Sequence, residues 1–396
     1  MHAFRIIQAF LTVQCSTMHA KRRHCLAQVT AAGALAGLGV VKLGRKLAAK
    51  TSLRHRIKCC DRLLSNAHLA RERVMVYRAM ARQILSTHAC VAIVVDWSVL
   101  RDDGSAQLLR AAVVVQGRAF ILYEEVHPRA LLGSPVVQRR FMHTLRDVLP
   151  PTCQPVIITD AGFRAPWFQM LNELGYAWIG RIRNRDMVRS RHGHDWEGCK
   201  TLYAKAGAQA RDLGQFSYTR SNPTPCRLVL AKRQPKGRQA KSKAGNAKRS
   251  SHNKKISAGQ REPWLLVVAP ALALLKASQV VDMYAGRMQI EQTFRDLKSP
   301  QWGMGLRSSQ TRALERLASL LLIGALLAYA LWIIGLAALD AGFNPSYGSR
   351  GKSTSTLSIL SLATHWLDAH HRPTISRRQL KDALIRLISL VRTYEI

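Results

Sequence analysis

The spacing of apolar residues changes character along the chain. Over residues 1–88 it is helical, with no alternation that would suggest strands. Within LGRKLAAKTSLRHRIKCCDRLLSN, residues 43–48 suit a short helix and Thr51 or Ser52 suits a cap. Leu53, Ile57, Cys60 and Leu64 then form an apolar stripe on the next helix. From Val91 the pattern becomes that of strands. CVAIVVDW is a continuous β-branched run and predicts a buried strand ending at Asp96. LLRAAVVVQGRAFILYEEV predicts two strands joined across Gln116 and Gly117. A helix over VVQRRFMHTLRDVL follows, and then CQPVIITDAGF, a second buried strand ending in an aspartate, Asp160. After an amphipathic segment over 167–174 comes a further strand, YAWIGRI. Strands that first meander and then alternate with helices predict a mixed α/β sheet.

Residues 184–276 interrupt this rhythm. They carry two strand-like pieces, CRLVLAKR and PWLLVVAP, around a stretch from Lys232 to Arg261 that holds eleven Lys or Arg and no acid. Rich in Gly, Ser, Ala and Asn, this stretch reads as a mobile basic loop that follows phosphates, or as a solvated linker. Helical spacing returns over 278–299. The segment Leu317–Leu339 then contains no charge at all. Its length would cross a membrane, while its Ala and Gly content suits a helix buried between layers, which is the expectation adopted here.

Charge narrows the possible partners. The 396 residues carry 60 Lys plus Arg against 23 Asp plus Glu, a formal net charge of +37, and 47% are hydrophobic. That hydrophobic content supports folded domains with a real core. The charge excess implies a polyanion, and nucleic acid fits because neutralised phosphates release counterions. An anionic membrane surface is the competing partner. Eight scattered cysteines with no CxxC pair suggest reduced thiols and a cytoplasmic location. The apolar beginning precedes its basic cluster, Lys21–Arg23, so no secretion signal is expected. In the N-terminal region Arg54, His55, Arg56, Lys58 and Arg62 lie off the apolar stripe, as a helix-turn-helix reader of DNA requires, or as a solvated basic helix allows.

The candidate chemistry is carried by acids. A carboxylate at a strand end is aimed by rigid backbone and open to solvent, and two on neighbouring strands can share a hard divalent cation. Asp96 and Asp160 are such positions, although an aspartate there also caps turns. In MYAGRMQIEQTFRDLK, Tyr284, Arg287, Glu291 and Lys298 fall within an arc of roughly 60° on one α-helix. Asp282 and Asp296 lie off it. Glu291 can therefore complete a metal site while Arg287, Lys298 and the Tyr284 hydroxyl hold phosphates; an exposed face with an Arg287–Glu291 ion pair is the simpler alternative.

The Y-x2-R-x3-E-x6-K spacing, with VVDW and VIITDAGF upstream and a long insertion before the glutamate, resembles the DDE transposases of bacterial insertion-sequence family four. LGRKLAAKTSLRHRIKCCDRLLSN, LLRAAVVVQGRAFILYEEV, VIITDAGFRAPWF, GRIRN, EPWLLV and RMQIEQTFRDLKSP resemble the branch typified by the transposon-ten element. The resemblance implies a ribonuclease-H-like core, with residues 89–183 as its first part and 277–340 as its remainder. It further implies a β-rich insertion over 184–276, a helical DNA-binding region over 1–88 and a helical end over 341–396. Asp96, Asp160 and Glu291 would be catalytic and hold two Mg2+ ions, for which Mn2+ can substitute. Tyr284, Arg287 and Lys298 would grip the transposon end, and Trp264 would stack a base flipped out near the cut, since an indole offers the flat face this needs. From the sequence alone, a core-filling strand residue is the favoured reading of Trp264. Arg54, Arg56 and Lys58 are the expected N-terminal DNA contacts. The implied partners are the terminal inverted repeats, target DNA and a second copy of the chain, with no membrane, at the bacterial nucleoid. The implied reaction is cut-and-paste transposition, with strand cleavage through a hairpin and strand transfer. A non-catalytic DNA-binding derivative and a membrane-associated basic protein are the alternatives.

Three signals are set aside. Gly351-Lys352-Ser353-Thr354 has the tail of a phosphate loop, but Ser346 stands where the leading glycine belongs. His192, His194 and Cys199 lack a fourth zinc ligand. Asp102, Asp103, Glu124 and Glu125 suit turn and edge roles.

Overall fold

The computed structural model describes residues 2–115, 117–183, 186–233, 262–301, 303–343 and 357–394. Most of the basic stretch expected over 232–261, and the 351–354 loop tail, lie outside them. The chain is mixed α/β, with helices at both ends and strands between. It divides into two compact units. One comprises 1–154 with 288–394, and the other 155–287.

The first unit begins with helices α1 (His2–Gln14), α2 (Ala20–Ala36), α3 (Val40–Lys46), α4 (Leu53–Leu64) and α5 (Ala67–Leu85). Ser52 caps α4 by accepting from the His55 amide, as its position predicts. The buried face of α4 is Cys60, Leu63 and Leu64, with Ile57 half-buried. Leu53, expected in the stripe, is instead exposed, because it starts the helix where no neighbour covers the first turn. Helices α3 and α4 meet backbone to backbone: a Cβ on Gly44 would lie 2.6 Å from the Ile57 Cα. The glycine needed for this two-helix motif thus stands at the crossing and not in the turn.

Strands β1 (Ala92–Val99), β2 (Ala106–Val114) and β3 (Ala119–Pro128) form an antiparallel meander in the order β3-β2-β1. The β2–β3 hairpin turns at Gly117, whose φ of 81° only glycine adopts cheaply. Strand β1 does not end at Asp96. It continues three residues further because Trp97, Ser98 and Val99 go on pairing with β2, so Asp96 is a mid-strand residue. Helix α6 (Pro135–Val148) follows.

The second unit starts with β4 (Val156–Thr159), α7 (Ala165–Glu173) and β5 (Ala177–Ile182), the two strands being parallel. Strands β6 (Met187–Ser190), β7 (Glu197–Gly198), β8 (Arg211–Tyr218), β9 (Thr224–Ala231) and β10 (Trp264–Val268) complete a sheet in the order β4-β5-β10-β9-β8-β6-β7. The region thus holds more strands than the two apolar runs suggested. Strand β8 is hard to read because its register shifts at Asp212/Gly214, which breaks the alternation. Gly180 gives up its side chain to the Phe168 ring, whose Cζ would lie 2.3 Å from a Cβ there.

Helix α8 (Ala277–Gly286) closes the second unit and α9 (Met288–Lys298) reopens the first. The single helix expected across Tyr284 to Lys298 is therefore interrupted at Arg287, whose amide bonds three residues back to Tyr284 after the helix-weakening Gly286. Helix α10 (Leu314–Asp340) contains the uncharged segment. It is long and apolar enough to cross a membrane, yet its apolar window is wholly buried inside the unit. It packs on α1, α2, α5, β3, α11 (Ile359–Asp368) and α12 (Arg377–Ser389). Charge appears only at its ends, where Arg316 meets Asp61 at 2.6 Å and Glu315 meets Arg73 at 2.7 Å. Thr393 bridges back to Val91 beside β1.

Candidate active site

The expected site residues fall into two sets, one in each unit. In the first unit, Asp96 sits on β1 opposite Arg110 of β2, which in turn is opposite Glu124 of β3. Directly opposed residues share a face, so a carboxylate, a guanidinium and a second carboxylate form a row across three strands. Asp96 is buried, and its Oδ1 accepts from the Trp97 amide at 2.8 Å. Helix α9 presents Glu291, exposed in its first turn, and Lys298 two turns later. The Lys298 ammonium donates to the Ser98 hydroxyl at 2.5 Å. Burial, Arg307 and Arg110 push its pKa down to about 8, while Glu291 and Asp96 pull it up. The structure thus brings Asp96, Glu291 and Lys298 into one electrostatic neighbourhood.

In the second unit, Asp160 follows β4 immediately, half-buried, and its Oδ1 accepts from the Gly162 amide at 2.8 Å. Its charge reaches Tyr284, whose phenol is raised first by burial and further by Asp160, while Arg287 and Arg181 lower it. Tyr284 is buried, and its hydroxyl is hydrogen-bonded to Arg287. Trp264 opens β10 half-buried, neither filling a core nor standing clear. Its ring lies edge-on to Tyr284 at 4.9 Å, and the Arg233 guanidinium sits 5.2 Å over it. The motifs GRIRN and EPWLLV come together here, with Arg183 3.1 Å from Glu262 and Ile182 in register with Leu265.

The N-terminal candidates separate. Arg54 and Lys58 are exposed on α4. Arg56 is half-buried and donates to the carbonyls of Leu47 at 3.2 Å and Arg45 at 3.5 Å, so it is engaged in capping α3. Among the described residues, no three His, Cys, Asp or Glu side chains are grouped closely enough to hold a metal ion. The donor chemistry nevertheless fits a hard divalent cation, since Asp96, Asp160 and Glu291 all offer carboxylate oxygens. Within the first unit, the Glu291 helix is tied to the Asp96 strand by the Lys298–Ser98 hydrogen bond.

Sequence reasoning assigned Glu124 an edge role, and the structure corrects it. Glu124 is buried and holds Arg110 through its Oε1, 2.7 Å from Nε, while the Tyr77 hydroxyl donates to its Oε2 at 3.1 Å. Arg110, fully buried, was missed. Its signal was a lone charge inside the apolar run LLRAAVVV. Asp103 has the turn role expected of it, accepting from Ser105.

No curated protein matches the chain's sequence. Among solved structures, a piggyBac transposase synaptic complex with hairpin DNA aligns over 98% of this chain and 83% of its own, with 11% identity and a TM-score of 0.39, a likeness too slight to carry an argument. The family model described as "Transposase DDE domain" matches residues 106–331, beginning ten residues after Asp96 and running through Asp160 and Glu291. That match spans more than half of the chain, which therefore belongs to the DDE-domain transposases.

Proposed function

We propose that this transposase is the cut-and-paste enzyme of a bacterial insertion sequence of family four, in the branch typified by the transposon-ten element. Asp96, Asp160 and Glu291 serve as its catalytic carboxylates. The observation that carries the reading is the hydrogen bond from Lys298, on the helix that bears Glu291, to Ser98, two residues beyond Asp96 on β1, which ties that helix to the Asp96 strand. A meander of three antiparallel strands followed by the parallel pair β4 and β5 supports a ribonuclease-H-like core. In this reading the core comprises 89–183 and 277–340, the insertion 184–276, and the helical ends 1–88 and 341–396.

The three carboxylates would hold two Mg2+ ions, with Mn2+ as a substitute. When bound, these ions supply Lewis-acid activation of water or a DNA 3′ hydroxyl and stabilise the leaving oxygen. The chain's own residues do the rest. Strand β1 fixes Asp96 through the Trp97 amide, and the Gly162 amide fixes Asp160. Lys298 and Arg287 supply cations for the backbone of the transposon end, with Tyr284 orienting Arg287. Trp264 receives the flipped base on its indole face, displacing Arg233 from it. Arg54 and Lys58 contact DNA from α4, while Arg56 holds α3 against α4. The partners are the terminal inverted repeats, target DNA and a second copy of the chain. Cleavage passes through a hairpin and the enzyme works in the cytoplasm at the nucleoid. The test is Mg2+-dependent nicking of a duplex carrying the DNA that flanks the coding region. Glu291→Gln abolishes nicking and retains end binding; nicking at the wild-type rate by Glu291→Gln would refute the assignment.

A further inference from the structure

Helix α9 has little surface of its own with which to hold Glu291. Its exposed face faces solvent, and its buried residues are Ile290, Thr293, Phe294 and Leu297. Four polar ties fix it to the β-meander. Gln289 accepts from the Val115 amide at 3.2 Å, Asp296 accepts from Arg118 at 2.8 Å, and Lys298 donates to Ser98 at 2.5 Å. The fourth tie is the buried one. Arg110 Nη1 donates to the Thr293 hydroxyl at 2.8 Å, and the same guanidinium lies 4.7 Å over the Phe294 ring. Thr293 is two residues from Glu291, and Arg110 is the cross-strand neighbour of Asp96. One side chain thus touches the helix that bears one carboxylate from the strand position paired with the other.

Burying this guanidinium carries a large desolvation cost, which is offset only if its charge and donors are matched. Glu124 supplies the charge, and Tyr77, hydrogen-bonded to the other Glu124 oxygen, holds that carboxylate in place. The Tyr77 phenol is pushed well above its usual value by burial and by the Glu124 charge, so it stays a donor. Hydrophobic residues of similar volume in place of the whole pair, Arg110 and Glu124, would fill the space at little loss of stability. What they would not do is fix the rotation and height of α9 over the strands.

We infer that Arg110, held by Glu124 and Tyr77, is a positioning residue that sets the register of the Glu291 helix over Asp96 through its hydrogen bond to Thr293. This rests on the reading of Asp96 and Glu291 as catalytic. A misplacement near 1 Å at a reacting centre costs on the order of a hundredfold in rate without altering binding.

The test uses the full chain and a duplex carrying the DNA that flanks its coding region, under single-turnover conditions with Mg2+. Thr293→Val keeps side-chain shape and the Arg110–Glu124 pair but removes the acceptor. It lowers the cleavage rate constant tenfold or more, by analogy with about 10–100-fold for residues that orient reacting groups from behind. End affinity in a gel shift stays unchanged. Thr293→Ser restores the acceptor and the rate. A combined Arg110→Met, Glu124→Met, Tyr77→Phe variant, which leaves no member of the buried network without its partner, melts near the wild-type temperature and cleaves as poorly as Thr293→Val. Wild-type cleavage by Thr293→Val, equal impairment of Thr293→Ser, or loss of rate only in step with loss of melting temperature would each overturn the inference. Glu291→Gln in the same assay keeps the two readings apart. If it cleaves normally, the catalytic assignment fails; if it is inactive while Thr293→Val is normal, only the positioning role fails.

Discussion

Asp96 and Asp160 close two nearly identical apolar runs, VAIVVD and VIITD, yet their backbones are held differently. Asp96 lies within β1, buried, with Arg110 across from it and Glu124 beyond. Asp160 lies just outside β4, half-buried in a short turn closed by the Gly162 amide. Both accept from an amide one or two residues on, but the backbone under Asp96 is fixed by pairing with β2, whereas Asp160 stands in a turn beyond its strand. The same sequence signature therefore marks two backbone settings, one fixed by strand pairing and one by a local turn, and they should respond differently to change.

The largest expected effect is on chemistry and should not distinguish the two. If the proposed site is right, Asp96→Asn and Asp160→Asn each lower strand cleavage about a thousandfold or more, since each would remove a charged metal ligand worth several kcal/mol to the barrier. Cleavage kinetics on the flanking-DNA duplex measure this, and retention of activity in only one variant would split the proposed trio. Stability then separates them. Arg110→Ala leaves Glu124 buried without its partner and costs about 3–5 kcal/mol in denaturant unfolding. Asp160→Ala removes one turn hydrogen bond and costs about 1 kcal/mol.

Two glycines extend the comparison to packing. Gly180→Ala drives a methyl into a Phe168 ring wedged 4.6 Å from Trp178 and 6.0 Å from Tyr218, so the second unit loses about 1–3 kcal/mol. Gly44→Ala meets backbone at Ile57 and separates α3 from α4. It should cost a similar amount in the first unit and, if the N-terminal helices bind DNA as proposed, weaken that binding, which a gel shift reads. The smallest effect is a pH dependence. Burial raises the Asp212 carboxyl, but hydrogen bonds from Arg227 and the Gly214 amide outweigh it and leave the group below its ordinary value. Its stabilisation is thus present above the unfolded carboxyl pKa and fades as pH falls through the lower folded value. Asp212→Asn should be slightly less stable than wild type at pH 7, and the gap should close in acid; a gap that does not narrow as pH falls below the ordinary carboxyl range contradicts the pairing.

Local signals in the sequence were strong where structure depends on neighbours along the chain. The Ser52 cap, the Gly117 hairpin, the helix over 135–148 and the strands at 156–159, 177–182 and 264–268 follow from capping, turn chemistry and runs of β-branched residues. Where pairing decides, the reading fell short. The extent of β1 past Asp96 depends on β2, the bulged β8 has no clean alternation, and the break at Arg287 falls inside a pattern of unbroken helical spacing. Exposure of Leu53 and capping by Arg56 likewise depend on what covers α4, which no spacing along α4 contains.

The sequence by itself determined the class of the chain, its basic character, the segments that become helices and strands, and the acids and cations worth watching. These follow from side-chain chemistry and from periodicities of a few residues. Tertiary structure alone decided that an arginine in the middle of an apolar strand is matched by Glu124 and Tyr77. It alone bound Thr293 of the Glu291 helix to that arginine and enclosed a helix of membrane-spanning length among other helices and a strand. The reason is physical: burying a charge or an uncharged helix is favourable only with particular neighbours, and those neighbours are brought in from distant parts of the chain.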